Sequence, residues 1–261
     1  MILTAGVIVM IIVAMTYASN ILNSTVAKNE FGDNKQFMAT AGQQLDDIAW
    51  TIGRTQTIDY TSKYGALKFE SAALTYTLAV HSTSGWNNQS FTTGIAMYYM
   101  PISSLEMGGS YFERVPYTAN SSIVQCGSSA PVSQVFCEEK LAMYDGNNVR
   151  IVLVPTIRVL NSTVAGSYLK FYLPTLQNGT MQYLSSTLTL TGEGISKTKI
   201  SSVDSVVISV SYPKAASGYS SSFFNFKSST VTLSSTSTPP VSSGSTVEFY
   251  NGQVQVSIGA V

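Results

Sequence analysis

The first 27 residues of this chain carry no charged side chain, and Lys28 is the first that does. They read MILTAGVIVMIIVAMTYASNILNSTVA, with apolar side chains dominating over residues 5–22. About 20 apolar residues in a helix span a bilayer core of about 30 Å. A helix that is apolar on every side must be covered by lipid or by other protein. The segment therefore predicts a helix that does not remain exposed to water.

Three roles fit such a segment: a cleaved secretory signal, a permanent membrane anchor, or a helix that leaves the membrane to pack against copies of itself. A secretory signal carries basic residues before its apolar stretch, and none precedes residue 5. Basic flanks also set the orientation of an anchor. We therefore expect that processing has removed a short basic leader and that the apolar segment itself is retained.

An apolar stripe continues beyond the uncharged segment and predicts a helix longer than an anchor needs. Its members recur at steps of three, four and seven residues, as on one face of a helix: Ile21, Leu22, Val26, Phe37, Met38, Ala41, Leu45, Ile48, Ala49 and Ile52. Gly53 is the predicted end, which gives an N-terminal helix over residues 1–53 whose residues 1–27 form a filament core or a transmembrane segment. We expect a kink or a short unwinding around Gly32.

After Gly53 the apolar period changes from 3.6 to 2, which predicts a strand-rich domain over residues 54–261. About a dozen short strands alternate with turn signals. We expect turns at residues 63–65, 145–148 and 251–252, with strands on either side. The predicted fold class is α+β: a long N-terminal hydrophobic helix followed by an antiparallel β-sandwich or barrel-like domain.

The composition narrows the function. The chain has 14 basic and 14 acidic side chains, and charged residues make up only 11 % of it, so nucleic acid is not expected as a partner. One His and two Cys leave little material for a metal site. No nucleophile elbow, phosphate-binding loop or zinc-protease motif is present. We therefore expect no enzymatic activity, no catalytic residue, no bound metal and no cofactor.

A few polar residues have specific interpretations. Cys126 and Cys137 are predicted to form a disulfide in an exported protein, with two buried free thiols as the alternative. His81 is interpreted as a surface residue at the end of a strand. The acidic pairs Asp46-Asp47 and Glu138-Glu139 are interpreted as solvated charges.

Five Asn-x-Ser/Thr sequons are candidate sites for N-glycans if the protein is exported. They lie at Asn23, Asn88, Asn120, Asn161 and Asn178. We expect Asn23 to be the least available of them, because helix packing would protect it.

This layout resembles the archaeal type IV pilin-like filament subunits, a family that includes adhesion pilins and archaellins. The resemblance rests on the uncharged segment over residues 1–26 and on the helix-to-strand transition GRTQTIDYTSKYGALKFESAALTYTLAV. It implies that a prepilin-peptidase-like enzyme removes a basic leader. Bacterial relatives carry Glu at the fifth mature position, whereas this chain has Ala5, as archaeal members generally do.

The resemblance implies a non-enzymatic subunit of an extracellular, N-glycosylated archaeal filament that assembles through its N-terminal helices and serves adhesion. Its partners would be copies of itself and, before assembly, the membrane and the pilus-assembly machinery. Alternatives are a monomeric, membrane-anchored surface or S-layer-associated binding protein and an archaellin-type motility subunit. The predicted assembly core comprises Ala5, Gly6, Val7, Ile8, Val9, Ile11, Ile12, Val13, Ala14, Ile21 and Leu22.

Overall fold

A computed structural model describes residues 2–116, 121–140, 143, 146–162, 168–182 and 185–259, with side chains from residue 6 onward except that of residue 162. The chain begins with one long helix, α1 (Ile2–Ala49). The predicted unwinding around Gly32 is wrong, because α1 is helical through this segment without interruption. The helix ends at Ala49 and not at the predicted Gly53, which instead lies in the following turn with a positive φ of 78°.

Twelve strands follow within the described ranges. They are β1 (Thr55–Asp59), β2 (Ala66–Ser82), β3 (Gly85–Pro101), β4 (Phe112–Val115), β5 (Val124–Cys126), β6 (Ser133–Lys140), β7 (Asn148–Pro155), β8 (Ile157–Ser162), β9 (Tyr168–Met181), β10 (Thr187–Ser211), β11 (Thr230–Leu233) and β12 (Ser245–Ile258). A 3-10 turn (Ala215–Ser217) and a short helix, α2 (Ser221–Phe224), lie between β10 and β11. The predicted α+β class is confirmed.

The strands form one sheet with the order β4-β6-β7-β3-β2-β10-β12-β9-β8-β5, and β1 and β11 both pair with β10. Its pairs are antiparallel except β9 with β12 and β5 with β8. Five strands are longer than expected, up to the 25 residues of β10. Register shifts interrupt several ladders, as between Glu70 and Leu74 in β2, and these bulges allow one long strand to serve two parts of the sheet.

Two of the predicted turns do not join neighbouring strands. Residues 63–65 separate β1 from β2, but β1 pairs with β10. Asn251 and Gly252 lie inside the continuous strand β12. A Cβ at Gly252 would overlap with the carbonyl oxygen of Ala49, where the end of α1 meets the strand. Gly252 is thus explained by the close approach of a helix. The third predicted turn includes Asp145, which lies outside the described residues.

The apolar side chains form two clusters. The inner cluster lies between strands and includes Tyr76, Phe136, Phe171, Ile208 and Phe249. The helix-side cluster contains the buried face of α1 and the strand residues packed on it. Strand β7 separates the two, because its alternate residues belong to different clusters: Ile151 and Leu153 face the helix, and Val152 and Val154 face inward. The domain is therefore a layered β structure with α1 packed on one outer face.

Only the second half of α1 takes part in this packing. Its buried side chains recur with helical spacing: Ala27, Glu30, Phe31, Asn34, Phe37, Met38, Ala41, Leu45, Ile48 and Ala49. This confirms the predicted stripe from Phe37 to Ala49. Ile21 and Leu22 are exposed, and Ile52 lies beyond the helix and is 66 % exposed. The stripe therefore joins two parts of the helix that have different surroundings.

Candidate functional site

The most distinctive surface of the molecule is the first half of α1. Residues 6–25, called here the apolar arm, are exposed at every position. Met10, Met15 and Tyr17 are each exposed by more than 65 %. Twenty residues at 1.5 Å per residue give an arm about 30 Å long. The helix Gly6–Ala49 is long and apolar enough to cross a membrane, and none of its most apolar window is buried within the chain.

The predicted assembly residues all lie on this arm or next to it. The side chain of Ala5 lies outside the described residues. The other ten are exposed, and because they include consecutive positions such as 6–9 and 11–14, they cover all sides of the helix. The arm therefore has no polar face over residues 6–15, whereas the polar side chains at positions 16, 19, 20, 23 and 24 share one side of its last turns.

Small residues create shallow places on the helix surface. Ala14 and Ala18 are exposed and one turn apart, the small-xxx-small spacing that lets two helices approach closely. A Cβ at Gly6 or at Gly32 would meet no atom within 4 Å. Glycine costs about 1 kcal/mol relative to alanine inside a helix. Nothing within the described part of this subunit requires glycine at position 32.

The junction between arm and domain is organised by one buried carboxylate. Glu30 is 3 % exposed. Its side chain accepts hydrogen bonds from the backbone N–H groups of Tyr64 (2.9 Å) and Gly65 (3.1 Å) and from the hydroxyl of Tyr98. A Cβ at Gly65 would overlap with the Tyr98 phenol, so this position requires glycine. Glu30 thus anchors α1 to the chain entering β2.

Further polar contacts attach α1 to the sheet along its buried half. Asn34 donates from Nδ2 to the carbonyl of Thr61 at 2.8 Å. Lys35 pairs with Glu113 at 2.7 Å. Ser133 donates to the carbonyl of Gly42 at 2.9 Å. Spread over several turns, these contacts fix the second half of α1 on the domain and so set the direction in which the arm leaves it.

The end of α1 is held by Asp46, which was expected to be solvated. Its carboxylate pairs with Arg158 of β8 at 2.5 Å and accepts a hydrogen bond from the indole N–H of Trp50 at 2.8 Å. Asp47 points away and is exposed, paired loosely with Arg54 at 3.4 Å. The interpretation as solvated charge is therefore wrong for Asp46 and right for Asp47.

The second acidic pair, unlike the first, is fully buried, contrary to expectation. Glu138 lies directly opposite Arg150 in the β6–β7 ladder and pairs with it at 3.0 Å. Glu139 accepts hydrogen bonds from the backbone N–H groups of Met107 and Gly108. Both carboxylates therefore have structural roles that depend on residues distant in sequence. No signal in the local sequence could have revealed these partners.

The predicted disulfide is wrong in this structure, because both cysteines are free. Cys137 is buried in the helix-side cluster. Cys126 is exposed at the end of β5, with its Sγ 3.7 Å from the carbonyl oxygen of Thr238. The two thiols belong to strands near opposite ends of the sheet order. Cys126 and Cys137 are close in sequence but do not lie on neighbouring strands.

The described sequons differ in their surroundings. Asn23 lies on the apolar arm, beside a crevice of about 310 Å³ lined also by Asn20, Ser24, Ser103 and Ser104. Its Oδ1 accepts a hydrogen bond from Tyr64 at 3.1 Å. Asn88 in β3, Asn161 in β8 and Asn178 in β9 are exposed, while Asn120 lies outside the described residues. Asn23 itself is exposed, and this contact engages Oδ1 rather than the Nδ2 that would carry a glycan, so its low availability stays a prediction.

A larger cleft of about 520 Å³ runs between α1 and the chain around β6. Its walls include Gly42, Gln43 and Asp46 on the helix and residues 128–135 opposite them. The cleft combines apolar side chains with serine and glutamine. Among the residues that line it, Asp46 is paired with Arg158, and Ser133 donates a hydrogen bond to the carbonyl of Gly42.

No metal-binding group of His, Cys, Asp and Glu side chains occurs among the described residues. His81 lies near the end of β2, half-buried, with its Nδ1 3.7 Å from a carboxylate oxygen of Asp204. Comparison of the chain with protein-family models, curated proteins and solved structures finds no match. In the part of the chain that the structure describes, the exposed apolar arm is the dominant surface feature.

Proposed function

We propose that this chain is a structural subunit of an extracellular archaeal type IV pilus-like filament, assembled by packing of its N-terminal helices and serving adhesion. The observation that carries the proposal is the apolar arm. It projects from an otherwise well-packed domain, and its residues 6–15 are exposed without a single polar side chain. Such a surface needs a permanent cover, and copies of the same chain can supply one.

The energy available from this cover is large. Full burial of a Val, Ile or Met side chain contributes roughly 1.5 to 3 kcal/mol. The arm exposes eleven large apolar side chains: Val7, Ile8, Val9, Met10, Ile11, Ile12, Val13, Met15, Tyr17, Ile21 and Leu22. Full burial of all eleven would contribute roughly 16 to 33 kcal/mol, against about 4 to 15 kcal/mol for the freedom that one subunit loses on association. A bundle of arms surrounded by water would therefore not dissociate measurably.

Two features favour sister helices over lipid as the final surroundings. Leaving hydrocarbon yields no hydrophobic gain, so helices that associate in a membrane depend on close packing. Ala14, Ala18 and Gly6 offer the shallow surfaces that such packing needs. Gly32 offers a similar shallow surface on the exposed side of the second half of α1, the half that packs on the domain. A plain anchor would need no shallow surface there.

The attachment of α1 to the domain supports an open polymer. Glu30, Asn34 and Asp46 fix the helix along its buried half, so every copy presents its arm in the same direction. A repeated head-to-tail contact that does not close on itself generates a helical filament. In that arrangement the arms form the core and the β domains form the outer surface. The exposed sequons Asn88, Asn161 and Asn178 would carry N-glycans there.

One substitution tests the proposal directly. Val9→Asp places a carboxylate on the arm, where a filament core would leave it buried without a partner. Ser235→Asp is the matched control, because it adds the same charge at an exposed turn of the β domain. We expect both variants to accumulate in the membrane, but only the control to yield fibres when cells are sheared and examined by electron microscopy. Normal fibres from Val9→Asp would contradict the packing argument.

The alternative function is a monomeric, membrane-anchored surface or binding protein. The arm supports it as well, because its length of about 30 Å matches the hydrocarbon core of a bilayer. The wild-type chain separates the two functions: an anchor stays with the membrane fraction and elutes from detergent as a single copy. An archaellin-type subunit would also form fibres, but cells lacking it would lose swimming rather than attachment.

A further inference from the structure

The β2–β3 hairpin carries a large aromatic side chain that is mostly exposed. Trp86 is 61 % exposed. Across the ladder it faces His81, with ring centroids 5.0 Å apart and an interplanar angle of 58°. His81 lies beside Asp204, whose other carboxylate oxygen accepts a hydrogen bond from Ser243 at 2.7 Å. The indole is therefore held in place by neighbours without being covered by them.

A sequon lies on the same face of the same strand. Side chains two residues apart in a strand point to one side, so Asn88 is the next residue after Trp86 on that face. Asn88 is exposed. In the described part of the chain, neither the amide of Asn88 nor the indole N–H of Trp86 makes a hydrogen bond with the protein. Each is thus available to a group from outside.

We propose that Trp86 is a platform for the first sugar of an N-glycan attached to Asn88. The C–H bonds on one face of a pyranose ring are slightly positive and complement the negative face of an aromatic ring. The glycan would come from a lipid-phosphate-activated sugar. Nδ2 of Asn88 bonds to the anomeric carbon, the bond from that carbon to the phosphate oxygen breaks, and the amide proton passes to solvent. The inference rests on the proposed extracellular location.

The remaining described sequons lack this arrangement. The residue two positions before Asn161 is Val159, and the one before Asn178 is Leu176, and both are buried. Asn23 lies on a helix, where residues two apart do not face each other. Asn88 is therefore distinguished by its neighbour, and Asn178 serves as an internal reference at an exposed position of another strand.

The surface beyond Asn88 suits a neutral sugar chain. On the same face, β2 and β10 present Ala79, Thr77, Val207 and Ser209 next to the sequon. This patch carries no charge, and the hydroxyls of Thr77 and Ser90 are already paired with each other at 3.2 Å. A glycan attached to Asn88, with its first sugar on Trp86, can therefore continue along this patch without desolvating a charged group.

The test uses the full chain from a host that glycosylates it, with the variants Asn88→Gln, Asn178→Gln, Trp86→Ala and Trp86→Phe. The chain has two tryptophans, and Trp86→Phe retains only Trp50. Subtracting its fluorescence spectrum from that of the wild type therefore gives the emission of Trp86. We expect acrylamide to quench Trp86 weakly in the wild type and in Asn178→Gln, and strongly in Asn88→Gln. We also expect a glycosidase to release the Asn88 glycan about 2- to 10-fold faster from Trp86→Ala than from Trp86→Phe, as the loss of one aromatic contact implies, with release from Asn178 unchanged.

Three results would overturn the proposal. One is mass spectrometry that finds Asn88 bare while Asn178 is modified. Another is equal quenching of Trp86 with and without the Asn88 glycan. The third is a decrease in acrylamide quenching of Trp86 when free oligosaccharide is added to Asn88→Gln. That result would mean that Trp86 binds a glycan from another molecule. Electron microscopy of the same preparations reports on the filament separately: fibres with a bare Asn88 contradict only the platform, and a modified Asn88 without fibres contradicts only the filament.

Discussion

The carboxylate of Glu30 and the phenol of Tyr98 form a buried hydrogen bond that joins α1 to β3. Burial and this bond together raise the pKa of Tyr98 above its ordinary value, so Tyr98 remains a donor at any physiological pH. The same carboxylate accepts the N–H groups of Tyr64 and Gly65. The bond therefore lies at the point where the apolar arm ends and the packed domain begins.

Glu30→Gln should destabilise the domain by roughly 1.5 to 3 kcal/mol, because an amide replaces one acceptor oxygen with a donor that faces other donors. Urea unfolding of the detergent-solubilised chain measures this change. Asp33→Asn is the control: Asp33 is exposed on the same helix, and its replacement should stay within about 0.5 kcal/mol. Equal losses in the two variants would mean that the buried contacts of Glu30 contribute little.

The two cysteines should react as separate thiols. Burial raises the pKa of the Cys137 thiol to about 12, and the side chain is inaccessible, whereas Cys126 is exposed. A maleimide at neutral pH should therefore label Cys126 in the folded chain and both residues after denaturation, as counted by mass spectrometry. Reductant should leave the melting temperature unchanged. A folded chain that takes up no label, together with a lower melting temperature in reductant, would restore the predicted disulfide.

The sequence predicted the parts of this molecule that depend on local periodicity. The uncharged segment and the stripe from Phe37 to Ala49 identified a helix with two different halves, because burial on one face repeats every three or four residues. The change to period 2 identified the strand-rich domain. Both patterns can be read from neighbouring residues alone, without knowing which part of the chain packs against them.

Features that depend on distant residues could not be predicted in this way. Gly252 suggested a turn, whereas its lack of a side chain accommodates the end of α1. Glu138 suggested solvent, but Arg150 lies across the ladder from it. The role of Glu30 was not predicted, because its partners Tyr64 and Tyr98 are distant in the sequence. In each case the local sequence contains the residue but not the contact that explains it.

Glu248 should make the domain sensitive to acid. Burial alone would raise its pKa, but hydrogen bonds from Lys197, Tyr168 and Tyr250 prevail and lower the pKa to about 2. A carboxyl whose pKa is lower in the folded than in the unfolded state stabilises the fold above its ordinary pKa of about 4.5, and this contribution is lost as the pH falls towards 2. Glu248→Gln should therefore flatten the fall in melting temperature over that range.

The control for this pH series is Glu193→Gln, since Glu193 is exposed on the neighbouring strand β10. Its melting temperatures should follow the wild type at every pH. If Glu248→Gln and Glu193→Gln both follow the wild type, the ion pair between Glu248 and Lys197, 2.8 Å long, does not contribute to stability.

Gly32→Ala should separate the stability of the subunit from its assembly. A Cβ at this position meets nothing within 4 Å in the isolated chain, and alanine favours a helix over glycine by about 0.5 to 1 kcal/mol. The variant should therefore melt at a slightly higher temperature in detergent. If a neighbouring helix approaches Gly32 closely, the added methyl group should lower the yield of sheared fibres. Gln36→Ala, one turn along the same exposed side, is the control and should assemble normally. A more stable subunit with an undiminished fibre yield would place the helix–helix contact elsewhere on α1.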